Sequence, residues 1–310
     1  MPPAHLYLLT LTLLCPGVLG ENDRPIIGII TQEVSDDVFL QYGKTYIADS
    51  YVKFLESAGS RVVPIRLNLS EDEYFHLFHS INGVLLPGGA VNILSSSFAR
   101  TAGIFYRLAI EAASSGIYFP VWGTCLGLQL LTVLTSEMDL LSSTSAENIS
   151  LPLILTDEVS SSKMLGNAPL KLLQAVSQEN ITANFHHFGI TPKAFLGNKK
   201  LSTFYRILST NHDQNGVEFV STIEARDYPI YAVQWHPEVN RFQWRSDLAF
   251  PHSANAIWIS QYLANFFVNE ARKNPNHFSN PKEEESSLIY NWPVTYTANI
   301  SSYEQAYFFD

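Results

Sequence analysis

The sequence predicts an α/β protein built on an open, mostly parallel sheet with helices on both faces, plus an antiparallel insertion. Three observations predict it. In the first half, short apolar runs alternate with segments of helical periodicity. The runs are apolar at successive positions, which is typical of strands buried on both faces. With 46% hydrophobic and 15% charged residues, the chain is also not of the intrinsically disordered class.

Four apolar runs in the first half predict neighbouring strands of one parallel sheet. They are residues 25–30, 62–65, 83–86 and 117–122. Pro64 has no backbone N–H to donate to a neighbour, so we expect the second strand near an edge of the sheet.

Helical spacing fills the intervals between these runs and predicts one helix after each strand. The predicted helices cover residues 45–58, a segment that begins at a capping box, residues 98–113 and residues 126–134. Gly59 provides the stop of the first helix, and Ser70 with Glu73 forms the capping box of the second. This β-α repeat indicates parallel strands joined by crossover helices.

The second half of the chain has a different pattern. A short helix is predicted over residues 169–176, followed by strands over 204–209 and 217–224 that flank a turn at 213–216. One more strand (230–235) and a long amphipathic helix (254–271) follow, and the polar residues 274–287 are predicted to form an exposed excursion. We therefore expect residues 21–310 to form a single catalytic domain with an antiparallel insertion, rather than two independent domains.

Residues 1–20 are predicted to be a signal peptide. An apolar run over residues 6–14 is broken by Cys15-Pro16-Gly17 and followed by small residues before Glu21. That run is too short to span a membrane, and no other stretch qualifies. Four N-x-S/T sequons then predict a glycoprotein that passes through the secretory pathway. Their acceptors are Asn68, Asn148, Asn180 and Asn299.

The charge balance argues against nucleic-acid binding. The chain has 19 Lys and Arg against 29 Asp and Glu, a formal net charge of −10. A protein that neutralises phosphates needs an excess of positive charge, and this chain has the opposite.

Cys125 is the only cysteine outside the predicted signal peptide, so it has no intramolecular disulfide partner. A lone cysteine is commonly a buried structural residue. However, residues 121–129 read Val-Trp-Gly-Thr-Cys-Leu-Gly-Leu-Gln, an apolar strand that runs through a Gly-x-Cys-x-Gly turn into an apolar helix. Small residues on both sides permit the sharp turn of a nucleophile elbow. The elbow would place the sulfur at a helix N-terminus, which favours the thiolate.

The same turn predicts an oxyanion hole. The N–H of Leu126 is a natural first donor, because it directly follows the nucleophile. Gly88 or Gly89 could supply the second N–H, since Pro-Gly-Gly ends the neighbouring predicted strand and glycine allows close approach to a reacting carbonyl. By themselves, these two glycines are equally typical of a simple turn.

A thiolate nucleophile needs a base, and His236 is the candidate among nine histidines. It follows a predicted buried strand, at the sheet edge where catalytic groups gather. Glu238, two residues further on, could orient the imidazole as the third group of a triad, although a structural role for it remains open.

The motifs together resemble the class I glutamine amidotransferase-like hydrolases and, more closely, the gamma-glutamyl hydrolase family. The elbow and the Trp-His-Pro-Glu segment define the superfamily, and the other stretches narrow it to the hydrolase family. The matching stretches are residues 25–29, 46–53, 85–89, 121–129, 183–186, 233–238 and 267–272.

The resemblance implies a flavodoxin-like fold, a Cys125–His236 catalytic pair, no metal and no cofactor. It implies hydrolysis of γ-glutamyl amide bonds in poly-γ-glutamylated folates and antifolates by a homodimer, in the lysosome, in the extracellular space or in both. It further implies auxiliary roles near the substrate for His186 and Tyr51. The residues themselves leave two alternatives open: His186 as a surface residue beside His187, and Tyr51 as a packing residue of a core helix.

Two rival functions fit the same motifs. A glutaminase domain that feeds ammonia to a synthase shares the elbow and the His-Pro-Glu segment, but the predicted signal peptide and sequons argue against it. A non-catalytic secreted binding protein is the other rival, and the intact Cys125, His236 and Glu238 argue against that one.

Overall fold

The computed structural model describes residues 21–35 and 37–310. The predicted signal peptide, residues 1–20, lies outside the described residues. Within them, no helix combines the length and the apolar character needed to cross a membrane.

Fourteen strands run through the described part of the chain. They are β1 (Ile26–Ile30), β2 (Gln32–Glu33), β3 (Thr45–Ala48), β4 (Arg61–Ile65), β5 (Val84–Leu86), β6 (Val121–Thr124), β7 (Ser142–Leu151), β8 (Ile154–Leu155), β9 (Thr182–Gly189), β10 (Tyr205–His212), β11 (Glu218–Ala225), β12 (Ile230–Val233), β13 (Val294–Tyr296) and β14 (Gln305–Phe309).

Eleven α-helices connect or cover these strands in the same part of the chain. They are α1 (Asp37–Leu40), α2 (Asp49–Glu56), α3 (Glu71–Phe78), α4 (Ser97–Ser114), α5 (Leu126–Ser136), α6 (Leu170–Gln178), α7 (Pro192–Gly197), α8 (Lys199–Phe204), α9 (Val239–Phe242), α10 (Ala254–Ala271) and α11 (Pro281–Ser287). Two 3₁₀ turns add Asp157–Ser161 and Ile289–Asn291.

The central sheet has eight strands in the order β4-β1-β5-β6-β12-β11-β10-β8. Its first five strands are parallel to one another, and the last three are antiparallel to their neighbours. Numbered along the chain, the parallel strands have the order 2-1-3-4-5, which is the flavodoxin-like order. The predicted fold class is therefore confirmed, and the Pro64 strand lies at the edge as expected.

Both faces of the parallel sheet are covered, because side chains alternate across each strand. On β1, Ile26 and Ile30 pack into one buried cluster with α3, α4 and α5. Ile27 and Ile29 pack into the opposite cluster with α2, α6 and α10. The continuous apolar run at the start of the chain thus belongs to a strand buried on both faces, and each fully buried isoleucine contributes about 1.5–3 kcal/mol of transfer free energy.

The antiparallel part consists of two pieces. Strands β10 and β11 form the predicted hairpin, whose turn is held by Asp213, which accepts hydrogen bonds from the backbone of Asn215 and Val217. A separate two-stranded ribbon pairs β7 with β9. The long strand β7 was not predicted, because its polar sequence lacks a regular alternation and its pairing with β9 is interrupted by two register shifts.

The prediction of one helix over residues 45–58 is wrong in its first four residues. Thr45–Ala48 forms strand β3, which pairs with β14 on one side and β2 on the other, and helix α2 begins only at Asp49. The β14 partner is more than 250 positions away, so local periodicity contained no sign of it. Similarly, β6 begins at Val121 rather than at residue 117.

The prediction of an exposed excursion over residues 274–287 is confirmed only in part, because most of this segment is exposed or half-buried but Asn274 and Phe278 are buried. Asn274 is fully buried, and the side chain of Asn82 donates hydrogen bonds to the carbonyls of Asn274 and Asn276 at 3.0 and 2.8 Å. Phe278 joins the core, and Asn280 then caps helix α11. Polar composition was misleading at these positions because the side-chain amides of Asn274 and Asn276 donate hydrogen bonds to backbone carbonyls of the protein instead of to water.

Candidate active site

Four neighbouring parallel strands end at the same edge of the central sheet. Strand β1 leads to Gln32, β5 to Gly88, β6 to Cys125 and β12 to His236. In open α/β sheets this carboxyl edge is where ligands bind. Residues that are more than 200 positions apart along the chain are therefore brought to one place by the strand order.

Cys125 occupies the predicted sharp turn between β6 and α5. Its backbone has φ 52° and ψ −104°, a conformation that residues other than glycine rarely adopt. A Cβ at Gly127 would lie 2.3 Å from the carbonyl oxygen of Leu86, so only glycine fits there. A strained conformation held by tight packing is a mark of a functional position.

The Cys125 thiol is placed at the N-terminus of α5 and is only 4% exposed. It is a free cysteine. Its own backbone N–H donates to the Val233 carbonyl at 2.8 Å, which ties the elbow to the strand that delivers His236. The N–H of Leu126, the first residue of the helix, has no hydrogen-bond partner among the described residues.

His236 is held by a carboxylate. Its Nδ1 lies 2.7 Å from Oε1 of Glu238, which is 2% exposed, and its backbone N–H donates to the Ala183 carbonyl at 2.9 Å. The ring of Phe185 meets the imidazole edge-on at 5.9 Å. With Nδ1 on the carboxylate, the other ring nitrogen, Nε2, is the one left for chemistry, and in the described part of the protein it is buried without a hydrogen-bond partner.

The side chains of Cys125 and His236 both lie against Gly88, which shows how close they are to each other. A Cβ built on Gly88 would lie 2.6 Å from Cε1 of His236 and 3.2 Å from Cβ of Cys125. Since both atoms lie this close to one point, Cε1 of His236 and Cβ of Cys125 are separated by no more than the sum of 2.6 and 3.2 Å. Sequence reasoning predicted that the fold brings this pair together, and the structure does so.

The electrostatics favour a charged imidazole. Burial lowers the pKa of His236, but the negative charges of Glu238 and of the Cys125 thiolate outweigh it and raise the pKa well above the ordinary value. An opposite charge within a few ångströms stabilises the protonated form. The arrangement thus favours the protonated form of the His236 imidazole.

The two glycine N–H groups differ. The N–H of Gly88 donates to the hydroxyl of Tyr51 at 2.8 Å, so it is already used. The N–H of Gly89 has no partner within the described residues. The sequence left Gly88 and Gly89 as alternatives. Of these two N–H groups, only that of Gly89 is unpaired among the described residues, as is the N–H of Leu126.

Tyr51 is both a buried residue of α2 and a part of this site. Besides accepting from Gly88, its hydroxyl lies 3.4 Å from Nδ1 of His236. Burial and the charge of Glu238 raise the pKa of Tyr51 well above its ordinary value, so it stays a neutral phenol. The interpretation of Tyr51 as a packing residue is therefore confirmed, and its auxiliary role toward the substrate stays a prediction.

His186 is not the surface residue that one alternative described. It is 4% exposed on β9, where Nδ1 lies 3.0 Å from the Thr144 hydroxyl and Nε2 lies 3.3 Å from Oδ1 of Asn184. Burial, followed by the charge of His236, lowers the pKa of His186 to about 3. His186 is thus a neutral imidazole close to His236, with both nitrogens bonded.

Two residues at this edge were missed by sequence reasoning. Gln32 lies directly after β1 and contacts Gly88; a polar residue after a buried strand was the available signal. Tyr303 lies 6.0 Å from Tyr46 between ring centres. Tyr46, burial and the charges of Glu238 and Cys125 raise the pKa of Tyr303 well above its ordinary range. Tyr303 belongs to the C-terminal segment, and no local pattern places it here.

The described residues contain no group of three His, Cys, Asp or Glu side chains arranged to hold a metal ion. The arrangement that is present, a thiol at an elbow, an imidazole held by a carboxylate and two free N–H groups, matches the parts that acyl transfer requires.

Comparison with known proteins gives the family. A family model described as Peptidase C26 matches residues 25–238. The gamma-glutamyl hydrolase of Rattus norvegicus is 50% identical over 307 residues, which cover 98% of this chain and 96% of the relative. That of Homo sapiens is 48% identical over 287 residues, with coverage of 93% and 90%.

Among solved structures, the glutaminase domain of Trypanosoma brucei CTPS with bound acivicin aligns with a TM-score of 0.49 at 17% identity, covering 82% of this chain and 98% of that one.

The sequence relatives extend over nearly the whole chain, so the resemblance predicted from the motifs is confirmed. The chain therefore belongs to the Peptidase C26 family and is a hydrolase.

Proposed function

We propose that this protein hydrolyses the γ-glutamyl amide bonds of poly-γ-glutamylated folates and antifolates through an acyl-enzyme on Cys125. The observation that carries the proposal is the elbow at Cys125, which brings the thiol close to a carboxylate-held imidazole and to the unpaired N–H of Leu126. The relatives named gamma-glutamyl hydrolase support the choice of the bond.

In the first half of the reaction, the Cys125 thiolate attacks the γ-carbonyl carbon, and the C=O electron pair moves to the oxygen. The N–H groups of Leu126 and Gly89 hydrogen-bond to that oxyanion, an interaction that strengthens as charge develops. When the tetrahedral intermediate collapses, the C–N bond breaks and Nε2 of His236 gives its proton to the leaving amine. A thioester remains on Cys125.

In the second half, the now neutral His236 accepts a proton from water as the water oxygen attacks the thioester carbon. The C–S bond breaks, the free γ-carboxyl product leaves and the thiolate is restored beside the imidazolium. Glu238 orients the imidazole throughout. Tyr51 holds the loop that carries Gly88, and His186 is a neutral imidazole within range of the charge of His236.

Incubation of the purified protein with pteroyl-penta-γ-glutamate tests the proposal. We expect shortened pteroyl-γ-glutamates and released glutamate or oligo-γ-glutamate, resolved by length over time, because the thioester route needs only a γ-amide and water. Free glutamine serves as the control substrate. Ammonia from glutamine without cleavage of the oligomer would favour the glutaminase alternative, and the absence of both reactions would favour a binding protein.

Passage through the secretory pathway is part of the same proposal. The four sequon asparagines, Asn68, Asn148, Asn180 and Asn299, are all exposed, as glycan acceptors must be. Asn148 differs from the others because its side-chain amide bonds to the Asp247 carbonyl and the Ala249 N–H, and a glycan would compete with this contact.

Secretion from eukaryotic cells, followed by enzymatic removal of N-glycans, tests this proposal. We expect a loss of apparent mass and a mature N-terminus at Glu21, with the smallest occupancy at Asn148. An unglycosylated chain that keeps residues 1–20 would contradict it. Localisation to the lysosome or the extracellular space, and the homodimer, stay predictions from the resemblance.

A further inference from the structure

Gln32 is buried against the loop that carries the free Gly89 N–H. Its side chain is 2% exposed, and its Nε2 donates to the Gly88 carbonyl at 2.9 Å, with the Pro87 carbonyl at 3.4 Å. The contact joins the end of β1 to the end of β5 across 56 positions of sequence. The end of one strand thus holds the loop at the end of its neighbour.

The carboxamide of Gln32 occupies the place where residue 89 would carry a side chain. A Cβ built on Gly89 would lie 1.7 Å from Oε1, 2.4 Å from Cδ and 2.5 Å from Nε2 of Gln32. Only glycine at position 89 allows this contact. The pair therefore explains the second glycine of Pro-Gly-Gly without requiring a left-handed backbone, since Gly89 is not among the positive-φ glycines.

Planarity of the peptide bond links this contact to catalysis. The Gly88 carbonyl and the Gly89 N–H belong to one trans peptide unit and point in opposite directions. A hydrogen bond that fixes the carbonyl from one side therefore fixes the direction of the N–H on the other. Tyr51 holds the preceding peptide through the Gly88 N–H, so the loop is secured at both positions.

One atom of Gln32 marks it as more than a packing residue. Its Oε1 is buried and has no hydrogen-bond partner within the part of the chain that the structure describes. A buried unpaired acceptor is destabilising, and such a cost is tolerated more often at functional positions than at residues that serve only stability. The backbone of Gln32 is placed independently, by the pairing of β2 with β3 opposite Tyr46.

We propose that Gln32 is a positioning residue for the oxyanion hole: its carboxamide holds the Gly88–Gly89 peptide so that the Gly89 N–H faces the oxygen of the tetrahedral intermediate. The proposal deepens the proposed function and rests on it. It assigns the role to a residue outside the elbow, the catalytic pair and the glycine loop.

The test compares Gln32→Met with Thr31→Val in the full chain. Methionine keeps the length and volume of glutamine but cannot donate to the Gly88 carbonyl. Thr31 is the matched control, since it is the adjacent residue, equally buried, and its hydroxyl bonds to the Ile65 carbonyl away from the loop. Three quantities are measured for each: kcat, KM, and the rate of Cys125 alkylation by iodoacetamide.

For Gln32→Met we expect kcat to fall about 10- to 100-fold while KM changes less than about threefold, because oxyanion stabilisation acts in the transition state. We expect the alkylation rate to stay within about twofold, because alkylation at carbon needs the thiolate but forms no carbonyl oxyanion. Thr31→Val should keep all three values while lowering the thermal midpoint.

Unchanged kcat in Gln32→Met would overturn the proposal, and so would equal falls in kcat and alkylation, which indicate general damage to the site. If that variant fails to fold, Gln32→Glu replaces it. This change keeps shape and acceptor while removing the donor, and we expect the same loss of kcat. If the wild-type protein is alkylated at Cys125 but cleaves no γ-glutamyl substrate, the proposed function fails instead.

Discussion

Replacement of Cys125 by alanine is expected to reduce cleavage of pteroyl-penta-γ-glutamate by about 10⁴-fold or more, since removal of a nucleophile that acts as a unit with its base abolishes covalent catalysis. Water would then have to attack the γ-carbonyl directly, and only the N–H groups of Leu126 and Gly89 would still assist. The initial rate of glutamate or oligo-γ-glutamate release measures the effect.

The folded state should survive this change. Alanine meets the same backbone strain as cysteine at φ 52°, and it removes only a small buried atom. Ser136→Ala is the matched control at the far end of α5, where the Ser136 hydroxyl donates to the carbonyls of Thr132 and Met138. That control should lose some stability and keep its activity. A fully active Cys125→Ala protein would refute the assignment of the nucleophile.

Replacement of Glu238 by glutamine is expected to move the alkaline limb of the kcat/KM profile to lower pH. In the wild type, the charges of Glu238 and Cys125 raise the pKa of His236, so the imidazolium persists until the pH passes that raised value. Above that pH, His236 is neutral and cannot donate a proton to the leaving amine, so activity falls. Glutamine removes one of the two charges, the pKa drops and the fall begins earlier.

The same change should lower kcat by about 10²- to 10⁴-fold, as when the orienting carboxylate of a triad becomes an amide. The free energy of unfolding should also depend on pH through the raised pKa of His236. Because the pKa of His236 is higher in the folded state than its unfolded value of about 6.5, protonation of His236 stabilises the folded protein fully below about pH 6.5. This contribution is lost as the pH rises through the folded pKa. Glu238→Gln should therefore cost more stability at pH 5 than in alkali, which urea unfolding at both pH values measures.

Glu224→Gln is the control for this prediction. Glu224 is an equally buried carboxylate, but it accepts from the Ser162 hydroxyl and the N–H groups of Lys163 and Met164, so it anchors a loop. Its loss should lower stability without moving the alkaline limb. If Glu238→Gln leaves the limb in place, Glu238 has a structural role only.

Much of the parallel sheet was predictable because its signals are local. Residues 25–30 read as a strand buried on both faces from their composition alone, and the structure confirms it. The antiparallel parts were harder. Strand β3 and strand β7 depend on partners elsewhere in the chain, so the prediction of a helix over Thr45–Ala48 failed and the ribbon of β7 and β9 was missed.

The candidate site divides in the same way. Cys125 and His236 were found because each follows a recognisable buried strand, and Leu126 was found because it directly follows Cys125. The residues around them were not predicted from the sequence, since the burial of His186 and the contact of Tyr303 with Tyr46 depend on how separate segments pack. A polar residue gives no sequence signal of the partner it will meet.

By itself, the sequence determined the sharp turn at Cys125 and the strand ends that carry the chemistry, because apolar runs and flanking glycines act over a few residues. Only the tertiary structure decided which glycine N–H is free, since the Gly88 N–H donates to the Tyr51 hydroxyl and the Gly88 carbonyl accepts from the Gln32 side chain. The physical reason is that hydrogen bonds between distant segments depend on strand order and register, which arise only when the whole sheet assembles.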